Sequence, residues 1–232
     1  MRATAYAPTA NTIFNTYMFA VEQGFKNIFI MPDVRHPWSE EQIEIMMQEL
    51  DKIYMFMSYC YKNNIMPLNF STIDRMFKTL YLYAIGPAET NISRTPNRCG
   101  LGTTSGSVGY DGSIYGCQEQ VSKDVADIFY IGDLKTGINK NLHTNLLQKY
   151  TYKQKAYCKD KEYCNTCLLK ENCTGWTCPS TSWDLYKDFH ADSIVACRWR
   201  EKIFANNFIL YSQFKNNDIF NKYLEGVNKY EL

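Results

Sequence analysis

Four cysteines fall within the fifteen residues CNTCLLKENCTGWTC, Cys164 to Cys178. So many thiols leave little side-chain volume for an apolar interior, so covalent or metal bonds have to organise the segment. Eight of the nine cysteines of the chain lie between positions 99 and 197. Cys99 is followed after twelve residues by Gly112 and after four more by Cys117. Cys164-x2-Cys167-x5-Cys173-x4-Cys178 comes next, and Cys197 closes the ordered set nineteen positions later.

Disulfides suit small secreted domains in an oxidising compartment. The opening MRATAYAPTANTIFNTYMFA has no apolar stretch ahead of a cleavage site, which predicts no secretory signal. No window of about 18 apolar residues is present, so no membrane helix is expected. The expected location is cytoplasmic, where thiols stay reduced and serve as metal ligands. Two structural zinc ions would each want paired CxxC-like knuckles, and only one CxxC exists here. Iron–sulfur clusters tolerate irregular spacing, because each thiolate has only to reach one iron, and they fit the pattern best.

The 232 residues are enough for one large or two modest domains at about 100–200 residues each. A hydrophobic fraction of 45% permits a real core. The net charge of +1, without a run of five like charges, predicts no nucleic-acid footprint.

Residues 1–85 alternate short apolar runs with helical patterns. Arg2–Tyr6 is an expected strand, followed by a helix capped at Thr9 or Asn11 and stopped at Gly24. NIFIM (27–31) is a second strand, closed by Pro32. Ser39 and Gln42 form a capping box ahead of a long helix with Ile43, Met46, Leu50, Ile53, Met57 and Cys60 on one face. MPLNF (66–70) reads as a third strand, and Ser71 opens a helix through Ile73, Met76, Phe77, Leu80 and Tyr83. Three strand–helix units predict a parallel α/β sheet that resembles about half of a barrel. With an edge left to cover, a missing N-terminal half or a partner chain is expected to complete it. Residues 86–98 read as a linker. Asp111-Gly112, between alternating β residues, predicts a hairpin, IFYIGDL (128–134) a further strand, and the chain from about Ser182 a helical tail.

The order CX12GX4C, CX2CX5CX4C and a final C closely resembles the SPASM domain, the auxiliary-cluster domain of radical S-adenosylmethionine peptide and protein maturases. It covers about residues 97–200. Residues 1–85 more weakly resemble the later strands and helices of the radical S-adenosylmethionine barrel. The fold implied is a partial (β/α) barrel over 1–85, a small irregular α+β SPASM domain over 99–200, and a helical tail over 201–232. The resemblance implies two iron–sulfur clusters of the [4Fe–4S] type. The first would be held by Cys99, Cys117 and Cys178, the second by Cys164, Cys167, Cys173 and Cys197. The implied activity is modification of a ribosomally made, Cys-containing peptide, with thioether formation favoured.

The departures from the family pattern are informative. Four residues, TGWT, precede Cys178 where relatives have three. Relatives with four ligands to the first cluster carry a cysteine six positions after the first, and here Ser105 stands there. Either Cys158 or a substrate thiolate is then available for the remaining iron. Gln118 stands where sulfatase-maturating relatives have a proton-accepting Asp. The chain carries no CxxxCxxC. By itself it is therefore expected not to cleave S-adenosylmethionine, which belongs to an intact enzyme. The alternative is a non-catalytic cluster-binding or peptide-docking module that works with a partner chain. Cys60 is expected in the core. His36, His143 and His190 read as isolated, Asp33, Arg35 and His36 as a polar loop, and Asp111 and Gly112 as turn residues.

Overall fold

The computed structural model describes residues 1–71, 100–121, 127–150, 157–170 and 178–229. Its chain divides into two units, Met1–Ile92 with Arg198–Leu232, and Ser93–Cys197.

In the first unit, β1 (Arg2–Ala5), β2 (Asn27–Pro32) and β3 (Asn69–Phe70) form an open sheet in the order β1-β2-β3. Both pairings are parallel, with Arg2 opposite Phe29 and Asn27 opposite Asn69. The strand expected over 66–70 is confined to its last two residues. Pro67 has no N–H to give to a ladder, and the Leu68 carbonyl accepts the Tyr17 hydroxyl at 3.1 Å. Helix α1 (Ile13–Glu22) connects β1 to β2 and ends at Gly24, whose φ of +70° is the left-handed stop expected of glycine.

Neither Thr9 nor Asn11 caps α1. Ala7–Thr12 winds as 3-10 turns and Thr12 takes the cap position without a side-chain bond. The free N–H of Phe14 donates instead to Glu49 Oε2 at 2.9 Å. Glu49 is only 3% exposed. Its carboxylate meets the positive end of α1 and pairs with Lys52, which offsets its burial.

Helix α2 (Glu40–Lys62) opens with the expected capping box, in which Ser39 Oγ accepts from Gln42 N–H and Gln42 Oε1 from Ser39 N–H. Ile43, Met46, Leu50, Ile53, Met57 and Cys60 are all buried. Burial pushes the Cys60 thiol up, as befits a core residue. Of the helix expected next, only Ser71 lies among the described residues. The remainder through Tyr83 and the 86–98 linker fall outside them.

In the second unit, β4 (Ser107–Val108), β5 (Ser113–Tyr115), β6 (Tyr130–Asp133) and β7 (Gly137–Ile138) form an antiparallel meander. The hairpin expected at Asp111-Gly112 joins β4 to β5. Asp111 Oδ1 accepts from Ser113 N–H at 3.0 Å, and Gly112 turns the chain at φ +90°. Helix α3 (Lys140–Lys149) is capped by the Asn139 side chain and supplies Leu146 to a core with Leu101, Tyr115, Phe129, Ile131 and Phe189. Beyond it come β8 (Tyr157–Cys158), α4 (Lys161–Thr166), α5 (Pro179–Tyr186) and β9 (Ala191–Asp192).

Helix α6 (Ile194–Phe214) starts in the second unit and from Arg198 belongs to the first, as does α7 (Asp218–Lys229). The tail residues tie to α2. Lys202 Nζ donates to Asp51 Oδ2 at 2.8 Å, and the Tyr61 ring packs against Phe214 and Phe220. The Tyr54 hydroxyl donates to Asn207 Oδ1 at 2.6 Å, both side chains being buried. Among the described residues no helix is long and apolar enough to cross a membrane.

Tyr54→Phe removes that donor and leaves a buried amide oxygen short of it. The unfolding free energy in urea is expected to fall by about 1–3 kcal/mol with unchanged far-ultraviolet circular dichroism. Full retention of stability would show that the bond does not tie the tail to α2.

Candidate metal centre

Seven cysteines lie among the described residues, and none is bridged. Cys117 and Cys178 occupy equivalent local positions. Cys117 is the N-cap of the 3-10 turn Gln118–Gln120, and Cys178 is the N-cap of α5 with Pro179 in the first turn. Each residue stands just ahead of the first N–H groups of the turn or helix that follows it. Neither side chain caps its own helix. The two segments are joined by Gln120, which is buried and donates through Nε2 to Ser180 Oγ at 2.5 Å and to Asp184 Oδ1 at 3.2 Å. The backbone at Gly102 donates to the Gly116 carbonyl at 2.9 Å, one residue before Cys117.

A second grouping forms around β8 and β9. These strands pair in parallel, Tyr157 opposite Ala191 and Cys158 opposite Asp192, with Lys159 N–H donating to the Asp192 carbonyl at 2.9 Å. Ser193 then opens α6, its Oγ accepting from Ala196 N–H at 3.3 Å, which puts Cys197 in the first turn. The Cys158 and Cys197 thiols lie within hydrogen-bonding reach of each other. They are 2% and 6% exposed. That contact, opposed by burial, holds the Cys158 thiol below its ordinary pKa, and the Asp160 backbone N–H, which donates to the sulfur, adds to it.

Cys164 lies in α4, whose cap is the Asp160 carboxylate accepting from Tyr163 N–H at 3.0 Å. Cys167 ends that helix, and its Sγ accepts from the Leu169 N–H at 3.4 Å. Cys158 and Cys167 therefore share one local device, an N–H two residues on directed at the sulfur. Such bonds offset thiolate charge and tune iron–sulfur centres.

Tyr186 at the end of α5 stands near both buried thiols. Burial pushes its pKa up, and the charges of Cys158, Cys197 and Asp192 push it further. The Lys159 ammonium lies 5.6 Å from the Tyr186 ring centroid. Nothing in the motif spacing points to Gln120, Ser180 or Tyr186. They become visible only once the helices that carry them are placed.

Cys99 and Cys173 lie outside the described residues. Among the described residues no three His, Cys, Asp or Glu side chains converge closely enough to hold a metal ion. The arrangement is thus a pair of thiols in contact (Cys158, Cys197), a pair on joined segments (Cys117, Cys178), and Cys164 and Cys167 on α4. These thiols are unbridged, and backbone N–H groups are directed at the sulfurs of Cys158 and Cys167.

The histidines are engaged locally. His36 Nδ1 pairs with Asp33, whose Oδ1 also accepts from Arg35 N–H at 2.9 Å. The ring of His143 bonds the Gly102 carbonyl, and buried His190 stacks on Tyr150.

The β8–β9 pairing is braced by Asp188. Its Oδ2 accepts the Tyr157 hydroxyl at 2.6 Å and its Oδ1 the His190 N–H at 2.8 Å. Tyr157 is pushed up to about 12 by the bond to Asp188, with burial and the carboxylate charge adding to it. Its unfolded value is about 10. Between those values the unfolded chain loses a proton that the folded chain keeps, so stability falls as pH rises from about 10 to about 12. Tyr157→Phe should flatten that decline relative to the unaltered chain in anaerobic urea titrations. Parallel curves for the two proteins would rule the brace out. No protein-family model matches the chain, and a search of curated proteins finds no match.

Proposed function

We propose that this chain is the cluster-binding C-terminal portion of a radical S-adenosylmethionine peptide maturase, a SPASM domain with two [4Fe–4S] clusters joined to part of a (β/α) barrel. The observation that carries the proposal is the ordered set of seven cysteines, of which Cys117 and Cys178 stand at N-caps joined through Gln120 and Ser180. That juncture supports giving Cys178 to a site with Cys117 and Cys99, although Cys164, Cys167 and Cys173 are nearer in sequence. The parallel order of β1, β2 and β3 suits the barrel part.

When bound, the clusters supply one-electron transfer and, at an iron short of a protein thiolate, a coordination position for a substrate thiol. The residues of the chain supply the rest. Gln120 holds the Cys117 turn against α5, and the N–H groups of Leu169 and Asp160 face sulfur and lower the cost of keeping it ionised. The partner is a Cys-containing peptide, and the product a thioether in that peptide. The compartment is the reducing cytoplasm, where the thiols remain available. With no CxxxCxxC in the chain, the radical-generating cluster belongs to another polypeptide segment.

Anaerobic reconstitution with iron and sulfide should give a brown protein with about eight irons, four for each cubane cluster. Stoichiometric zinc with negligible iron would overturn the proposal. Dithionite-reduced chain incubated with S-adenosylmethionine should form no 5′-deoxyadenosine above the reagent background. Its formation would show that the chain makes the radical itself.

A further inference from the structure

We propose that Cys158 and Cys197 are a reversible thiol–disulfide pair, bridged when a low-molecular-weight disulfide such as oxidised glutathione reaches them. This goes beyond the cluster-binding proposal and stands on described residues alone. The register of β8 on β9 sets Cys158 opposite Asp192, and Ser193 starts α6 so that Cys197 falls in its first turn. The two thiols thereby meet within hydrogen-bonding reach, both unbridged and both buried. A disulfide needs side chains that face each other at short range, and cysteines that point apart cannot be joined without backbone movement. Contact between the two thiols meets that requirement. Among the described residues no third His, Cys, Asp or Glu side chain joins them closely enough to hold a metal ion. Two thiols in contact without a third ligand suit a bond between the sulfurs.

The exchange balances without a metal. One thiolate of the pair attacks a sulfur of the small disulfide, releasing one small thiol and leaving a mixed disulfide on the protein. The second thiolate attacks the protein sulfur of that mixed disulfide and releases the other small thiol. Two protein thiols give one S–S bond, and the small disulfide takes up their two electrons and two protons as two thiols. The Asp160 N–H, which donates to the Cys158 sulfur, stabilises that sulfur as a thiolate, whether it attacks or leaves. The oxidant enters by local opening of the ladder, which is only two residues long on each strand. In a reducing compartment such a bridge is transient and redox-sensing. While bridged, Cys197 has no thiolate to offer a metal.

The test uses the full chain, reduced and metal-free, so its result stands apart from whether iron is taken up on reconstitution. The folded protein is incubated with oxidised glutathione, quenched in acid, alkylated and digested with trypsin. Peptides 156–159 and 188–198 carry Cys158 and Cys197 respectively, each as its single cysteine. They should be recovered joined, two hydrogen atoms lighter than their sum, and should separate on treatment with dithiothreitol. The same oxidation in urea should lose this preference, because the pairing depends on the β8–β9 register. In one or other of Cys158→Ser and Cys197→Ser the cysteine that remains should retain glutathione, since no partner resolves the mixed disulfide. Recovery of both peptides alkylated from the oxidised unaltered chain would overturn the proposal. So would glutathione retained on either peptide of that chain, or a link from either to another cysteine in place of the joined pair.

Discussion

Two residues of parallel strand, Tyr157–Cys158 beside Ala191–Asp192, decide where two of the thiols sit. A ladder so short has little stability of its own. It is held by what flanks it. Asp188 takes hydrogen bonds from Tyr157 and from the His190 backbone, and the next residue, Phe189, stacks on Trp183 at 4.6 Å between ring centroids. Phe129 and Tyr150 meet Phe189 edge-on. Since Phe129 directly precedes β6, the meander and the thiol-bearing strands share one aromatic core. Cys158 and Cys197 are thus positioned by apolar packing and main-chain bonds, and their contact needs no metal to form it.

The two thiol groupings differ electrostatically. Cys158 and Cys197 are buried, and the Asp160 N–H donates to the Cys158 sulfur. Cys178 is exposed and Cys117 half-buried, each at the N-cap of a short helix. A buried, internally solvated set is suited to electron transfer with little rearrangement. An exposed set is suited to meeting a substrate. In the proposed function the exposed pair belongs to the first cluster and Cys197 to the second.

Much of the architecture was legible because local chemistry agrees with the tertiary result. The Ser39–Gln42 box, the helical spacing from Ile43 to Cys60, the left-handed Gly24 and the Asp111-Gly112 turn each determine their own few residues, and packing confirms them. What escaped depends on long-range partners. The cap of α1 is Glu49, 35 positions from Phe14, and no neighbouring residue signals it. The third strand shrinks because a distant Tyr17 hydroxyl takes the Leu68 carbonyl. Tail residues such as Asn207 look like a separate helical appendage in sequence, yet they are hydrogen-bonded to α2. The cysteine motif showed which thiols to consider. It was silent on Cys158, whose counterpart lies 34 positions ahead across a two-residue ladder.

Within the proposed function, the remaining cysteines bear on the chemistry of the first site by elimination. Of nine cysteines, Cys60 is a core residue of α2, on the buried face with Met57 and Ile53, and its raised pKa makes it a poor thiolate. Position 105, where a further ligand would stand in the four-cysteine relatives, is Ser. Cys158 is buried in contact with Cys197, so the proposed first site is left with Cys99, Cys117 and Cys178. A cubane held by three thiolates leaves one iron to an exogenous ligand, and the strongest candidate in a reducing compartment is another thiolate. On that proposal the more exposed site is also the one short of a ligand. In the proposed function that combination favours a Cys-containing peptide as substrate: its thiol would supply the missing ligand, and Cys178 is exposed.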